Sequence, residues 1–561
     1  LGLQARHHTD NTRRPQIMKS KPLPKILLFV VTLLLAQSLI AQANPFKSAH
    51  YVPAPLPTFE RTRGKLPAPI YDEAPLFVQT YWKAWELAFR NFHEPTAENG
   101  FVSQLIDASF SQNIFLWDTC FMTMFTNYAH PLVPGIGSLD NFYAKQHDDG
   151  EISREIDRKT GRDSPYWISS SGRDLYSHDG NKWQGQGFSV AYIGRDVPKP
   201  PPVLTLDALN HPIAAWAELE SYRLTGDRQR LEQVYGPLVK YYRALDKYLR
   251  QGNGLYITDW AGMDNSPRND DIVCGGTAVD ISAEMVMFAR QLAQIAELIG
   301  DPQDASALRH DAEKVSATIN AKMWNPKRGF YFDLSLNGKQ SSVKTVGAYW
   351  TLLAGVASDA QAQALANELR NPATFGRLHR VPTLAADERG FNPLGGYWRG
   401  SVWAPTTTMV IRGLQKYGQH ALATEIAMEH LRAVSDVFAK TNTIWENYAP
   451  DSSRQGDEAK ADFVGWSGVG PIMYLIEFAI GIQADAPANT IVWDIQSPHR
   501  VGVENFRFGG KLVQLLAEAA TVDGKRVVKV SSDQPLKLQV RWNGKQTTLE
   551  VKAAEALSLV L

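Results

Sequence analysis

The sequence predicts a mainly α chain whose helical hairpins follow one another around a ring, with a small antiparallel β-domain at the C-terminal end. Two patterns predict it. Apolar residues recur at helical spacing in segment after segment, and glycine-plus-polar hinges punctuate the pairs. After residue 487 the period changes to two, and Asp-Gly and Asn-Gly turn signals appear.

Residues 1–43 read as an upstream extension followed by a cleaved signal peptide. Met18, Lys19, Lys21 and Lys25 form a basic start, Ile26–Ile40 an apolar run, and Ala41-Gln42-Ala43 an A-x-A cleavage site. The apolar run falls short of the roughly 20 residues that a spanning helix needs, so cleavage near Asn44 is expected rather than a membrane anchor. The mature protein would then be exported, to a periplasm or outside the cell. Residues 44–70 hold six prolines, at 45, 53, 55, 57, 67 and 69, and read as an extended strap.

Residues 71–487 carry the helical repeats. Trp82, Trp85, Leu87 and Phe89 mark a first, aromatic helix. Apolar stripes follow at Leu206, Leu209, Ile213 and Trp216, at Ile281, Met285, Phe288, Leu292 and Ile295, and at Leu308, Ala312, Val315 and Ile319. Hinges fall at Gly226-Asp227, Gly300-Asp301, Gly355–Ser358 and Gly418. Hairpins joined by longer loops make a ring or a solenoid. The loops hold nearly all the Trp-Asp, Trp-Arg and Trp-Glu pairs, which favours a ring with one functional face. Residues 488–561 form the small β-domain, with alternation at 504–508, 527–530, 536–542 and 547–551.

Composition narrows the function. Fifty-eight basic residues balance 58 acidic ones, which argues against a nucleic-acid partner. Only two cysteines occur, Cys120 and Cys274, in no metal-ligand spacing, so the core rather than disulfides carries stability. The 15 tryptophans suit stacking on the apolar faces of ligand rings as well as core packing. Phosphate-loop, dinucleotide, zinc-helix, EF-hand and G-x-S-x-G patterns are all lacking.

Chemistry-bearing residues concentrate in five loops. Trp117-Asp118 could pack and hydrogen-bond a sugar; Asp118 could equally cap a helix. Trp260-Ala-Gly-Met-Asp264-Asn-Ser-Pro-Arg268 sets a carboxylate among apolar neighbours, although an Asx-turn would also use an aspartate there. Gly395-Gly-Tyr-Trp398-Arg399-Gly-Ser-Val-Trp403 places an arginine between tryptophans, where it could stack or make forked hydrogen bonds. Trp445-Glu446-Asn447-Tyr448 and Phe463-Val-Gly-Trp466-Ser467 complete the set, with a weaker segment from Pro200 to Asn210. Two carboxylates in aromatic loops, without metal or nucleotide motifs, most simply mean glycoside hydrolysis, one protonating the leaving oxygen and the other activating water or attacking carbon.

These segments, in this order, resemble the clan of inverting (α/α)6-barrel glycosidases that includes trehalases, family 63 α-glucosidases and mannosylglycerate hydrolase-like domains. Trp117-Asp118 resembles its W-D-S/T-x-F segment, Asp264 its general-acid loop, Tyr397–Trp403 its Y-W-R-G-x-x-W motif, and Glu446-Asn447-Tyr448 with Phe463–Ser467 its general-base region. The resemblance implies a six-hairpin toroid over 71–487. It makes Asp264 the general acid and Glu446 the general base. Trp117, Asp118, Asn210, Trp260, Arg268, Trp398, Arg399, Trp403 and Trp466 would bind an α-glucoside or related oligosaccharide. Some members of family 63 hold calcium, but no ligand run here assigns a site, and no other cofactor is implied. The trehalase signature is replaced at 107–116 by D-A-S-F-S-Q-N-I-F-L, which disfavours trehalase. An inactive carbohydrate-binding protein or a polysaccharide lyase on the same scaffold are the remaining alternatives.

Overall fold

Two glycine–aspartate hinges set the helical register. In the computed structural model, which describes residues 44–162, 175–176, 182–183, 210–258, 262–272 and 276–561, Gly226 and Gly300 adopt left-handed backbone at φ +71° and +96°. They end the helices Ala214–Thr225 and Val279–Ile299, where a side chain would be strained. Asp227 and Asp301 then open the partner helices Arg228–Leu249 and Pro302–Lys322 by accepting the backbone N–H of Arg230 (3.0 Å) and of Asp304 (3.1 Å). Each such cap is worth about 1 kcal/mol. The stripe of Ile281, Met285, Phe288, Leu292 and Ile295 is buried, as is that of Leu308, Ala312, Val315 and Ile319. At the third hinge Ser358 and Gln361 form a capping box on the helix Asp359–Arg370. The helices Pro75–Phe89, Ala404–Lys416 and His420–Thr441 and the π-helical segment Val469–Ala479 complete the main helical body.

The signal segment, Leu206 and Leu209, the 200–202 prolines, Trp260 and Cys274 lie outside the described residues. Cys120 is a buried, free thiol. Among the described residues no helix is long and apolar enough to cross a membrane.

The strap is not extended throughout. It contains a 3-10 turn at Pro45–Ser48, a helical turn at Phe59–Thr62 and a strand, β1, at Ala68–Tyr71. The C-terminal strands are β2 (Ile482–Asp485), β3 (Thr490–Asp494), β4 (Val501–Phe508), β5 (Lys511–Ala517), β6 (Val527–Ser532), β7 (Leu536–Trp542), β8 (Lys545–Val551) and β9 (Ala556–Val560). They form two sheets, ordered β1-β4-β5-β6-β9 and β2-β3-β7-β8, antiparallel except for the β3–β7 pair. The strap thus contributes an edge strand to the C-terminal sheet, a position that tolerates Pro69 because an edge needs fewer backbone donors. The strands begin at Ile482, earlier than the period of the sequence indicates, because β2 follows directly on the apolar π-helical segment with only Ile480 and Gly481 between. Asn543 (φ +48°) and Gly544 (φ +73°) turn β7 into β8 with Trp542 opposite Lys545, the hairpin that Asn-Gly encodes.

Glu477 joins several elements. Its carboxylate accepts from Arg223 (2.6 Å), Tyr128 (2.5 Å) and Arg412 (3.0 Å), while Arg223 also holds the Ala484 carbonyl in β2 (3.0 Å). Burial pushes its carboxyl up, but the guanidiniums of Arg412 and Arg223 outweigh burial and hold it down at about 2. Removing one partner of a buried ion cluster strands the others. Glu477→Ala is therefore expected to cost about 3–5 kcal/mol in chemical denaturation, and a loss below about 1 kcal/mol would show that the cluster is not a structural joint.

Candidate active site

The loops that sequence singles out are tied to one another in series. Asn265, next to Asp264, donates to the Gly396 carbonyl (3.1 Å) and accepts from the Trp398 N–H (2.9 Å). Val402 and Tyr448 exchange both backbone hydrogen bonds, at 2.8 and 3.0 Å. Glu446 and Lys460 pair through Glu446 N–H to Lys460 O at 2.9 Å. Trp466 Nε1 and Ser467 Oγ both donate to the Glu446 carbonyl, at 3.3 and 3.2 Å.

These loops enclose a cavity of about 280 Å³. Its wall is aromatic: Phe110, Phe115, Trp117, Trp350, Tyr397, Trp398, Trp403 and Trp466. Trp398 and Trp403 stack with ring centroids 4.6 Å apart, and Trp117 lies 4.1 Å from the His211 ring. The polar lining is Asp118, Asp264, Arg154, His211, Thr406 and Lys460. Asp118 Oδ1 and Trp403 Nε1 are buried with no protein hydrogen-bond partner. Buried polar atoms are seldom left so, and here they line the space a ligand would fill. Asp118 sits in the first turn of the helix Leu116–Thr126, where Phe115 and not the aspartate holds the N-cap position.

Two carboxyls, Asp118 and Asp264, line this cavity, and a third, Glu446, is buried behind it against the lining residues Tyr397 and Lys460. Asp264 is open to the cavity, yet desolvation by the surrounding protein raises it to about 6, with Arg154 and Lys460 opposing the rise. Burial raises Asp118 well above the carboxylate range. Glu446 is only 1% exposed and stands five residues beyond the helix end at Thr441, not at the helix surface. Burial raises it, and three contacts resist: the Lys460 charge, the Lys460 N–H (3.2 Å to Oε2) and the Tyr397 hydroxyl (3.4 Å to Oε1). The Tyr397 phenol is raised by burial and by Glu446, Asp264 and Asp118 in turn, so it remains a donor. Among the described residues no group of three or more His, Cys, Asp or Glu side chains is arranged to hold a metal.

A model of the mannosylglycerate hydrolase MGH1-like glycoside hydrolase domain matches residues 139–467. The chain belongs to this family. An uncharacterized protein of Borreliella burgdorferi is 27% identical over 369 residues, covering 63% of this chain and 76% of its own. Among solved structures, the family 63 mannosylglycerate hydrolase of Thermus thermophilus, in complex with Tris and D-glycerate, superposes with TM-score 0.53 at 19% identity, over 70% of this chain and 99% of its own. An α-L-rhamnosidase from Dictyoglumus thermophilum gives 0.56 at 13%, over 88% of this chain and 50% of its own. At these identities the two structures share the fold.

For an MGH1-like glycosidase, the structure gathers Trp117, Asp118, Asp264, Trp398, Trp403 and Trp466 around one cavity, with Glu446 buried behind the lining Tyr397, whose hydroxyl donates to it. Three expected sugar contacts lie elsewhere. Asn210 is buried, its amide donating to the Ile152 carbonyl (3.0 Å) and the Tyr241 hydroxyl (2.7 Å); its neighbour His211 lines the cavity instead. Arg268 is buried against Asp280 (2.6 Å) and Asp333 (3.5 Å), so its charge anchors the acid loop from below. Arg399 is exposed beside Gly390, while the tryptophans meant to flank it stack on each other. Sequence reading missed Arg154 and Lys460, which stand in polar stretches, and His211, next to the singled-out Asn210 and held by the buried Glu284 (2.8 Å). Tyr397 lay inside a quoted motif, its hydroxyl unremarked.

The unpartnered Asp118 has a stability signature. Its folded form favours the neutral acid, so its stabilising share is complete below the unfolded value of about 3.9 and is lost as pH rises above it. Asp118→Asn should match the parent near pH 4 and exceed it at pH 7 by about 1–3 kcal/mol, while losing activity. Equal stability at both pH values in denaturant titrations would mean that Asp118 has a partner in solution.

Proposed function

We propose that this glycosidase is an exported enzyme that hydrolyses an α-glycosidic bond with inversion, on an (α/α)6 toroid formed by residues 71–487. Asp264 protonates the glycosidic oxygen as the bond to the anomeric carbon breaks. Glu446 takes a proton from the water that attacks the opposite face. One observation carries this reading: Asp264, raised to about 6, lines an aromatic cavity, and Glu446, which accepts from the lining residues Tyr397 and Lys460, senses the charge of Asp264. Inversion requires room for the water, hence carboxyls about 6.5–9.5 Å apart. The aromatic wall suits the apolar faces of a sugar ring, and the orphaned Asp118 and Trp403 atoms suit its hydroxyls. The substrate is an α-glucoside or a related oligosaccharide. The family's name and the D-glycerate bound to the Thermus enzyme bring glycosylglycerates into the same class. The signal-like segment at 18–43 directs the enzyme to the periplasm or the exterior.

Screening the mature protein on α-linked disaccharides, oligosaccharides and glycosylglycerates, with proton NMR of the first-formed anomer, tests substrate and stereochemistry together. A β-anomer released from an α-linked substrate is expected. Retention, or turnover of none of them, would overturn the reading. Asp264→Asn and Glu446→Gln should each lower kcat by about 10²–10⁴-fold. Because the acid must be protonated, kcat/KM should fall as pH rises through about 6; a profile flat to about pH 8 would remove Asp264 from that role.

A further inference from the structure

Lys460 stands outside the five segments that sequence singles out. It lies at the end of the loop between Tyr448 and Phe463, is exposed, and lines the cavity. Its main chain holds Glu446 from both sides, its carbonyl accepting the Glu446 N–H (2.9 Å) and its N–H donating to Glu446 Oε2 (3.2 Å). Its ammonium sits 4.3 Å from the centre of the Phe110 ring, itself part of the cavity wall. The cavity's other cation, Arg154, is bonded to Glu155 at 2.5 Å. Among the described residues no carboxylate forms an ion pair with Lys460. The acids of its own loop are directed elsewhere: Asp457 to Arg454 (3.5 Å), and Asp462 to Thr443 (2.5 Å) and Arg90 (3.8 Å), while Glu458 is exposed. The titratable and charged groups that line the cavity with it are Asp264, Asp118, Arg154, His211 and the Tyr397 hydroxyl, and Glu446 is bonded to its own main chain.

We propose that Lys460 is the positioning residue of the acid–base pair: its main chain fixes the Glu446 carboxylate, and its ammonium is the counter-charge that Asp264 and Glu446 share. This rests on the acid–base reading above. A cation that favours the ionised form of both carboxyls holds both limbs of the activity profile at low pH. In keeping with this, Lys460 opposes the upward shift of each carboxyl. A residue that merely braced the loop would affect both limbs alike only in amplitude. A residue that only held the aglycone would raise KM and leave the limbs in place.

The test is the pH profile of kcat/KM for the parent, Lys460→Met and Lys460→Arg, on the best substrate of the panel. Lys460→Met should move both limbs to higher pH by about half a unit or more, and Lys460→Arg should restore them. A substrate-free arm compares melting temperatures at pH 4.5 and 7. Lys460→Met should lose ground to the parent only at pH 7, and the loss should vanish when Asp264→Asn and Glu446→Gln are added to both. Unmoved limbs, or a melting difference that is the same at both pH values, would overturn the Lys460 assignment while leaving the acid–base pair standing. Full activity in Asp264→Asn or Glu446→Gln would instead fell the acid–base reading, and the Lys460 assignment with it.

Discussion

The turn Gly395–Gly400 is the constraint on which the site depends. Its residues reach φ values of +115°, +59°, +61° and +148° at Gly395, Gly396, Tyr397 and Gly400. A side chain at Gly396 or Gly400 would press within 2.7 Å of the Asn392 side chain or within 2.6 Å of its carbonyl. Only Tyr397 pays for this geometry with a side chain in place, at about 1–2 kcal/mol. What the strain achieves is placement: one side of the turn exchanges two hydrogen bonds with Asn265 in the Asp264 loop, and the strand-like exit at Val402 exchanges two with Tyr448 in the Glu446 loop. One short segment thus ties the Asp264 loop to the Glu446 loop, in addition to the anchors that each loop has on its own side.

The distribution of buried charge separates architecture from chemistry. Arg268 has Asp280 and Asp333, Arg230 has Glu218 and Asp140, and Glu477 has Arg223 and Arg412. In each of these sets every charge has an opposite charge beside it, as burial demands. Asp118 and Glu446 are equally buried and have no arginine or lysine within ion-pair distance among the described residues. These two carboxyls lie unpaired in and beside the aromatic cavity, where desolvation shifts a carboxyl toward useful protonation.

Much of the fold was legible because it is local. The glycine–aspartate hinges, the three-four stripes and the Asn-Gly hairpin each follow from a few adjacent residues. What could not be read were pairings across distance. Nothing in A-P-I-Y announces that β1, at Ala68–Tyr71, pairs with Val501–Glu504 near the other end of the chain. The site divides the same way. Trp117, Asp264 and Glu446 stand beside tryptophans or in motif order, whereas Lys460 and His211 acquire their place from tertiary contacts with Glu446 and Glu284. Arg399 shows the converse error: sequence adjacency to two tryptophans suggested stacking, but in a left-handed turn alternate side chains leave in different directions, and the rings met each other.

The proton inventory of the cavity follows from these placements. Burial with no compensating ion pair keeps Asp118 neutral, and the Tyr397 phenol is held neutral by burial and by the carboxyls around it. Asp264 retains its proton to about pH 6. Glu446 is raised by burial, and two hydrogen bonds, from the Lys460 N–H and the Tyr397 hydroxyl, together with the Lys460 charge oppose that rise. The proton and the charge are thus separated by environment, although the groups are chemically alike. Tyr397 adds to that separation: held as a donor, it points its hydroxyl at Glu446 Oε1 (3.4 Å) and favours the ionised form of that carboxyl alone.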